Sequence, residues 1–147
     1  MKYRIEEICK AIERYTESVK DIPLLLIRLT LAYGFYTPAI NKWQDINAIA
    51  SWFESMNYPL PKLNAYMAAG TEMAGVVLLA LGFASRIISI PLIIVMLVAI
   101  FTVHINNGWE ASNNGFEIPF YYMIMLFVIL IYGPGKISLQ GIIKKFQ

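Results

Sequence analysis

Residues 86–105 read RIISIPLIIVMLVAIFTVHI, and Arg86 at the very start is their only full charge. About 20 consecutive apolar residues in a helix cross the hydrocarbon of a bilayer. A chain of 147 residues cannot wrap such a run in a soluble core. Three similar segments flank it, at about Ile22–Asn41, Asn64–Phe83 and Ile118–Tyr132, the last being the shortest and beginning near Glu117. Only Ala84-Ser85 separates the second span from the third, a connection short enough to force an antiparallel hairpin. The pattern predicts an all-α integral membrane protein: an antiparallel four-helix bundle that crosses the bilayer four times.

Composition agrees. The hydrophobic fraction is 58%, above the roughly 45–50% of soluble domains, and the mean hydropathy is +0.56. The length allows one domain. A net charge of +2 without a basic, aromatic-interleaved stripe gives no reason to expect nucleic-acid binding. The single cysteine, Cys9, excludes an intramolecular disulfide or a CxxC redox pair. The N-terminus is charged throughout and does not read as a secretory signal.

Residues 1–21 form an arm in which Ile5, Ile8, Ile12, Tyr15 and Val19 recur at helical spacing opposite Lys, Arg and Glu. An amphipathic helix on the membrane surface or against a partner fits; so does a solvated helix packed on the cytoplasmic face of its own bundle. Lys and Arg outside the spans number nine in the arm, the tight turn and the tail, against Lys42 and Lys62 on the other side. The positive-inside rule therefore places both termini in the cytoplasm of a bacterial-type inner membrane, with a basic tail at 141–147. Trp43, Trp52 and Trp109 fall at the outer ends, as interfacial anchors do. Between the first two spans, Ile46, Ile49, Trp52, Phe53 and Met56 keep helical spacing until Pro59 and Pro61, which predicts a short outer interfacial helix roofing the bundle.

Ionisable groups inside hydrocarbon cost on the order of 2.5–3.5 kcal/mol on insertion scales, so each needs a reason. Glu72 sits mid-span, near the small residues Ala68, Gly75 and Gly82, and is expected to face the interior. Arg28 lies two turns inside the first span and differs from Glu72 in depth by roughly 7 Å, which predicts an Arg28–Glu72 pair, either functional or simply holding two helices in register. Towards the outer side, His104, Asn106, Asn107, Glu117 and Lys42 converge on one depth. His104 is a proton donor or acceptor by its chemistry, or a hydrogen-bonded helix-end residue. A hard-metal site of one His and two carboxylates is the weaker reading, and no metal is assigned. Pro91 is tolerated early in its helix, and Pro38 should kink the first span. The scattered methionines Met67, Met73, Met96, Met123 and Met125 read as core or lipid-facing filling rather than a copper relay.

These residues together carry a resemblance. Arg28 with Gly34 and Asn41-Lys42; Pro59-Leu60-Pro61; Glu72, Gly75, Leu81-Gly82 and Arg86; His104 with Gly108; Glu117; and Gly133-Pro134-Gly135 with Ser138-Leu139 stand in the order of the DoxX family of small four-helix membrane proteins. The resemblance covers about residues 24–140, within a DoxX-like domain at 22–140. Ser89–Leu92, Thr102–His104, Asn107–Trp109 and Asn114–Glu117 look most like the branch encoded beside precursors of copper-responsive modified peptides. Ala39 replaces a frequent Gly, and Gln140 a frequent Asp, which puts any role of that carboxylate in doubt.

The family's name comes from subunits of a thiosulfate:quinone oxidoreductase, so the resemblance implies a membrane subunit of a redox system. On that reading His104, Glu72 and Glu117 carry the chemistry, while Arg28, Lys42, Asn106 and Asn107 help to bind a quinone or another apolar substrate near the outer interface. No haem, dinucleotide or thiol signature accompanies them. The alternatives are a non-catalytic assembly or chaperone subunit and a small transporter acting as an oligomer. Expected partners are the lipid bilayer and either a protein partner or further copies of the chain.

Overall fold

A computed structural model describes residues 2–146 and is all-α over them. The helices are α1 (Lys2–Val19), α2 (Asp21–Gln44), α3 (Ile46–Ser55), α4 (Pro61–Leu81), α5 (Ser85–Ala99), α6 (Glu117–Tyr132) and α7 (Leu139–Lys145). A π-helical turn at Ile100–His104 and a 3-10 turn at Ile105–Asn107 prolong α5. α2, α4 and the extended α5 (Ser85–Asn107) are long and apolar enough to cross a membrane; α6 is apolar but shorter, at 16 residues. α2 packs on α4, α4 on α5, α5 on α6 and α6 on α2.

Local chemistry sets the boundaries. Pro61 at the first position of α4 has no N–H to leave unpaired. At the other end Gly82 adopts φ +67 and the Phe83 N–H reaches back to the Leu78 carbonyl at 3.0 Å, the 6→1 bond of a Schellman stop. The Asp45 carboxylate accepts the Ala48 N–H at 3.0 Å and starts α3, and Ser138 accepts the Gly141 N–H at 3.0 Å to start α7. α2 and α5 run continuously through Pro38 and Pro91.

The array is apolar outside as well as in. Leu31, Phe35, Leu79, Leu92, Leu126 and Ile129 are buried at its centre. Ile87, Ile90, Ile94, Leu97 and Phe101 form an exposed stripe along α5, and Ile118, Tyr121, Ile124, Phe127 and Ile131 another along α6. Patches of this extent are foreign to a water-exposed surface and suit lipid. The polar side chains Arg28, Glu72, Ser85 and Ser89 are instead buried between the helices. On α1, Ile5, Ile8, Ile12 and Tyr15 remain exposed, so the apolar stripe of the arm is not packed on the helices below it.

Candidate functional site

Buried and half-buried polar side chains gather at two ends of the array. The first lies where α7 meets the 82–84 turn at the end of α4. Arg28 is 1% exposed there. Its Nη1 donates to the carbonyls of Leu79 at 3.0 Å and Ala80 at 3.5 Å, and its Nη2 donates to the Ile137 carbonyl. The guanidinium thus sits on the negative end of the α4 dipole, where carbonyls without intrahelical partners await a cation. Gly82 makes room for it: a Cβ there would lie 2.1 Å from Nη1. Arg86 donates to the Ile131 carbonyl at 3.0 Å, Asp21 accepts the Lys136 N–H at 2.7 Å, and the Gln140 N–H reaches the Gly82 carbonyl at 3.3 Å. The 133–140 segment is therefore tied to α2 and the α4 terminus, and α5 to the end of α6.

The expected Arg28–Glu72 pair does not form. Glu72, 3% exposed, is held instead by Lys42, whose Nζ lies 3.0 Å from Oε1 and 2.8 Å from Oε2. The reason is direction. Helical side chains lean towards their own N-terminus. On antiparallel α2 and α4, Arg28 leans towards the α4 C-terminus while Glu72 leans the opposite way, towards Lys42. Counting depth along the axes without that lean pairs the wrong residues.

The second end lies under α3. A cavity of about 360 Å³ is enclosed by α3, α4, α5 and the π turn, with Lys42 reaching in from α2. Lys42, Glu72 and His104 line it together. Trp52, Phe53 and Tyr58 close its top, and Ala68, Pro91 and Val95 belong to its wall. Met67 and Ile94 also line it yet are 59% and 56% exposed, so the cavity opens sideways between α4 and α5 onto the apolar outer surface.

The π turn carries Thr102, Val103 and His104 to the cavity. Such wide turns recur at functional positions. His104 Nδ1 lies 2.7 Å from the Asn114 carbonyl, which can only accept, so the hydrogen is assigned to Nδ1. Nε2 makes no hydrogen bond to the described residues; it is an acceptor in the neutral ring and a donor in the charged one.

The remaining candidates lie elsewhere. Asn107 Nδ2 donates to the Val103 and Asn114 carbonyls at 3.3 and 3.2 Å, steadying the same loop as His104. Glu117 turns away and accepts the Ala111 N–H at 3.1 Å. Asn106 is exposed beyond the π turn, and Arg28 belongs to the other end. The sequence reading missed Phe53, Tyr58, Thr71 and Thr102 as cavity residues. Phe53 was legible in the α3 spacing, whereas the π turn that aims Thr102 leaves no mark in hydropathy.

Comparison with known proteins places the chain among sequence relatives. An uncharacterized protein of Haemophilus influenzae (strain ATCC 51907 / DSM 11121 / KW20 / Rd) is 30% identical over 132 residues, 84% of this chain and 85% of its own length. A Bacillus subtilis (strain 168) protein named "Putative oxidoreductase CatD" is 31% identical over 106 residues, 72% of this chain and 74% of its own. No solved structure matches the chain. The family model described as DoxX matches residues 23–105, from the start of α2 to the π turn, and so takes in Arg28, Lys42, Glu72 and His104 together: the chain belongs to the DoxX family.

Proposed function

We propose that this protein is a four-span subunit of a membrane redox system that admits a quinone-like molecule, an apolar tail bearing a carbonyl headgroup, into the cavity under α3. The cavity itself carries the reading: a mostly apolar space of about 360 Å³ whose wall includes Lys42, Glu72 and His104 with Asn64, Thr71 and Thr102, and whose mouth is apolar. Pockets of this kind bury the body of a ligand and fix its orientation by a few placed polar groups. An ammonium has three donors, and Glu72 uses two of those of Lys42, leaving one for a ligand carbonyl. His104 Nε2, an acceptor in the neutral ring, offers a second contact to a hydroxyl of the reduced, quinol form of such a headgroup. The likeness to the protein named "Putative oxidoreductase CatD" supports the redox setting.

In this reading α6 also spans, its 16 residues giving about 24 Å of helix, and both termini face the cytoplasm of the inner membrane, as the Lys and Arg distribution implies. The test is purification with native lipids followed by organic extraction and mass spectrometry. A stoichiometric quinone in the native chain, lost in Glu72→Gln, supports the proposal; none in either chain sinks it.

A second reading rests on Arg28, Gly82, Arg86 and the 133–140 segment. These serve to tie helices together, as an assembly subunit would need. A stoichiometric protein partner with no extractable ligand favours it.

A further inference from the structure

The end of the array away from the cavity carries a second depression. It is a groove of about 400 Å³ lined by four cations from separate parts of the chain. Lys20 comes from the α1–α2 junction, Arg86 from the first turn of α5, Lys136 from the loop after α6, and Lys144 from α7. One carboxylate, Asp21, shares the groove, and its Oδ1 is already engaged by the Lys136 backbone N–H at 2.7 Å. Lys20 is paired with Glu17. Arg86 has N–H groups left after its bond to the Ile131 carbonyl. The ammonium groups of Lys136 and Lys144 form no ion pair among the described residues.

The groove is also amphipathic. Leu24 lies on its floor and Tyr132, 70% exposed, on its rim; tyrosine concentrates at the level of lipid headgroups. Gly135, at φ +77, keeps the floor open, since a Cβ there would press on Asp21 Oδ1 at 3.0 Å and Leu24 at 3.4 Å. Next to Lys136, α1 turns its polar face, with Lys10, Glu13, Arg14 and Glu17, towards the groove side, while its apolar stripe of Ile5, Ile8, Ile12 and Tyr15 stays exposed, the form of a helix that lies in a bilayer surface.

We propose that this groove seats the headgroup phosphate of an anionic phospholipid, with the acyl chains passing Leu24 and Tyr132 into the bilayer. Topology alone asks only that lysines lie on the cytoplasmic side. It does not ask that cations from four segments face one space with an apolar wall. Basic pockets between helices at that interface bind lipid phosphates, and an anion here would also offset the repulsion among the four cations.

The test uses the full chain in non-ionic detergent, offered an equimolar mixture of dioleoylphosphatidylglycerol and dioleoylphosphatidylcholine, with bound lipid counted by native mass spectrometry. The native protein is expected to retain the anionic lipid in preference by about fivefold or more, and Lys136→Gln with Lys144→Gln to bring the two lipids close to parity. Lys62→Gln, at the opposite end, should keep the preference. Equal retention by the native chain, or an unchanged preference in the double variant, overturns the proposal. Displacement by millimolar inorganic phosphate would show a free-anion site instead, and overturns the lipid assignment. Thermal melting accompanies each variant; should the double variant unfold, Lys144→Gln alone, on exposed α7, carries the same comparison.

Discussion

Lys42 and Glu72 meet although they start far apart along the helix axes, because each side chain leans towards its own helix N-terminus and the helices run in opposite directions. The contact is bidentate, with Nζ 3.0 and 2.8 Å from the two carboxylate oxygens, and the Glu72 side chain is 4% exposed against 23% for Lys42.

Removing one partner leaves the other charge buried alone. Glu72→Gln and Lys42→Gln should each lower stability in detergent by about 3 kcal/mol, the low end for a buried pair because Lys42 retains some solvent. The double variant should lose clearly less than the sum. Arg28→Gln combined with Glu72→Gln should be additive within about 0.5 kcal/mol, since the two share no partner. Strong coupling in that second cycle would contradict the geometry.

At the other end, Arg28→Lys is not conservative. A guanidinium reaches three carbonyls with a planar fork, whereas an ammonium is a compact charge on a thinner stem. Gly82→Ala strains the left-handed turn and intrudes on the same guanidinium. Both variants should melt earlier, by about 1–3 kcal/mol, with ligand retention per folded molecule unchanged. Native-like melting of either would show that the Arg28 contacts carry no stability.

For the cavity, His104→Ala should lower retention of an added short-chain quinol by about tenfold, the loss of one well-made polar contact. Glu117→Gln should leave retention intact, because its carboxylate holds the Ala111 N–H outside the cavity. Ala68→Phe, which fills the space, should abolish retention while the chain stays folded. Equal effects of His104→Ala and Glu117→Gln would mean that both act only through the loop.

Orientation is checked by cysteine labelling. In a Cys9→Ser background, needed because Cys9 is exposed, a cysteine replacing Asn57 should react with an impermeant maleimide in intact cells. One replacing Lys144 should react only after permeabilisation. The reverse pattern would invert the topology.

Much of this architecture was legible in hydropathy. Long apolar runs with charge at their ends demand lipid, and the spacing of Ile46, Ile49 and Phe53 announced α3, because packing one face of a helix imposes its period on the sequence. The site was legible in part. Glu72 stood out because a charged group in hydrocarbon is costly and therefore conspicuous, and Lys42 and His104 because they end their spans at one depth. Arg28 was placed with the wrong partner, since its acceptors are backbone carbonyls of Leu79, Ala80 and Ile137, and backbone atoms have no identity in a sequence. Glu117 was grouped with His104 by depth alone; the loop between them turns the carboxylate onto its own backbone.

The wide turn at Ile100–His104, closed by the Ile105 N–H on the Ile100 carbonyl, has a consequence for how the protein can vary. A π turn holds one residue more than an α turn, so the chain on either side keeps the facing it would have without the extra residue. Deletion of Phe101, 65% exposed on the outer surface, would leave α5 and the Asn107–Phe116 loop in register while withdrawing Thr102, Val103 and His104 from their arc beside the cavity. Chain length is then a second variable, besides residue identity, that sets whether the α5 side of the cavity carries polar groups, and a scan that only exchanges side chains would pass over it.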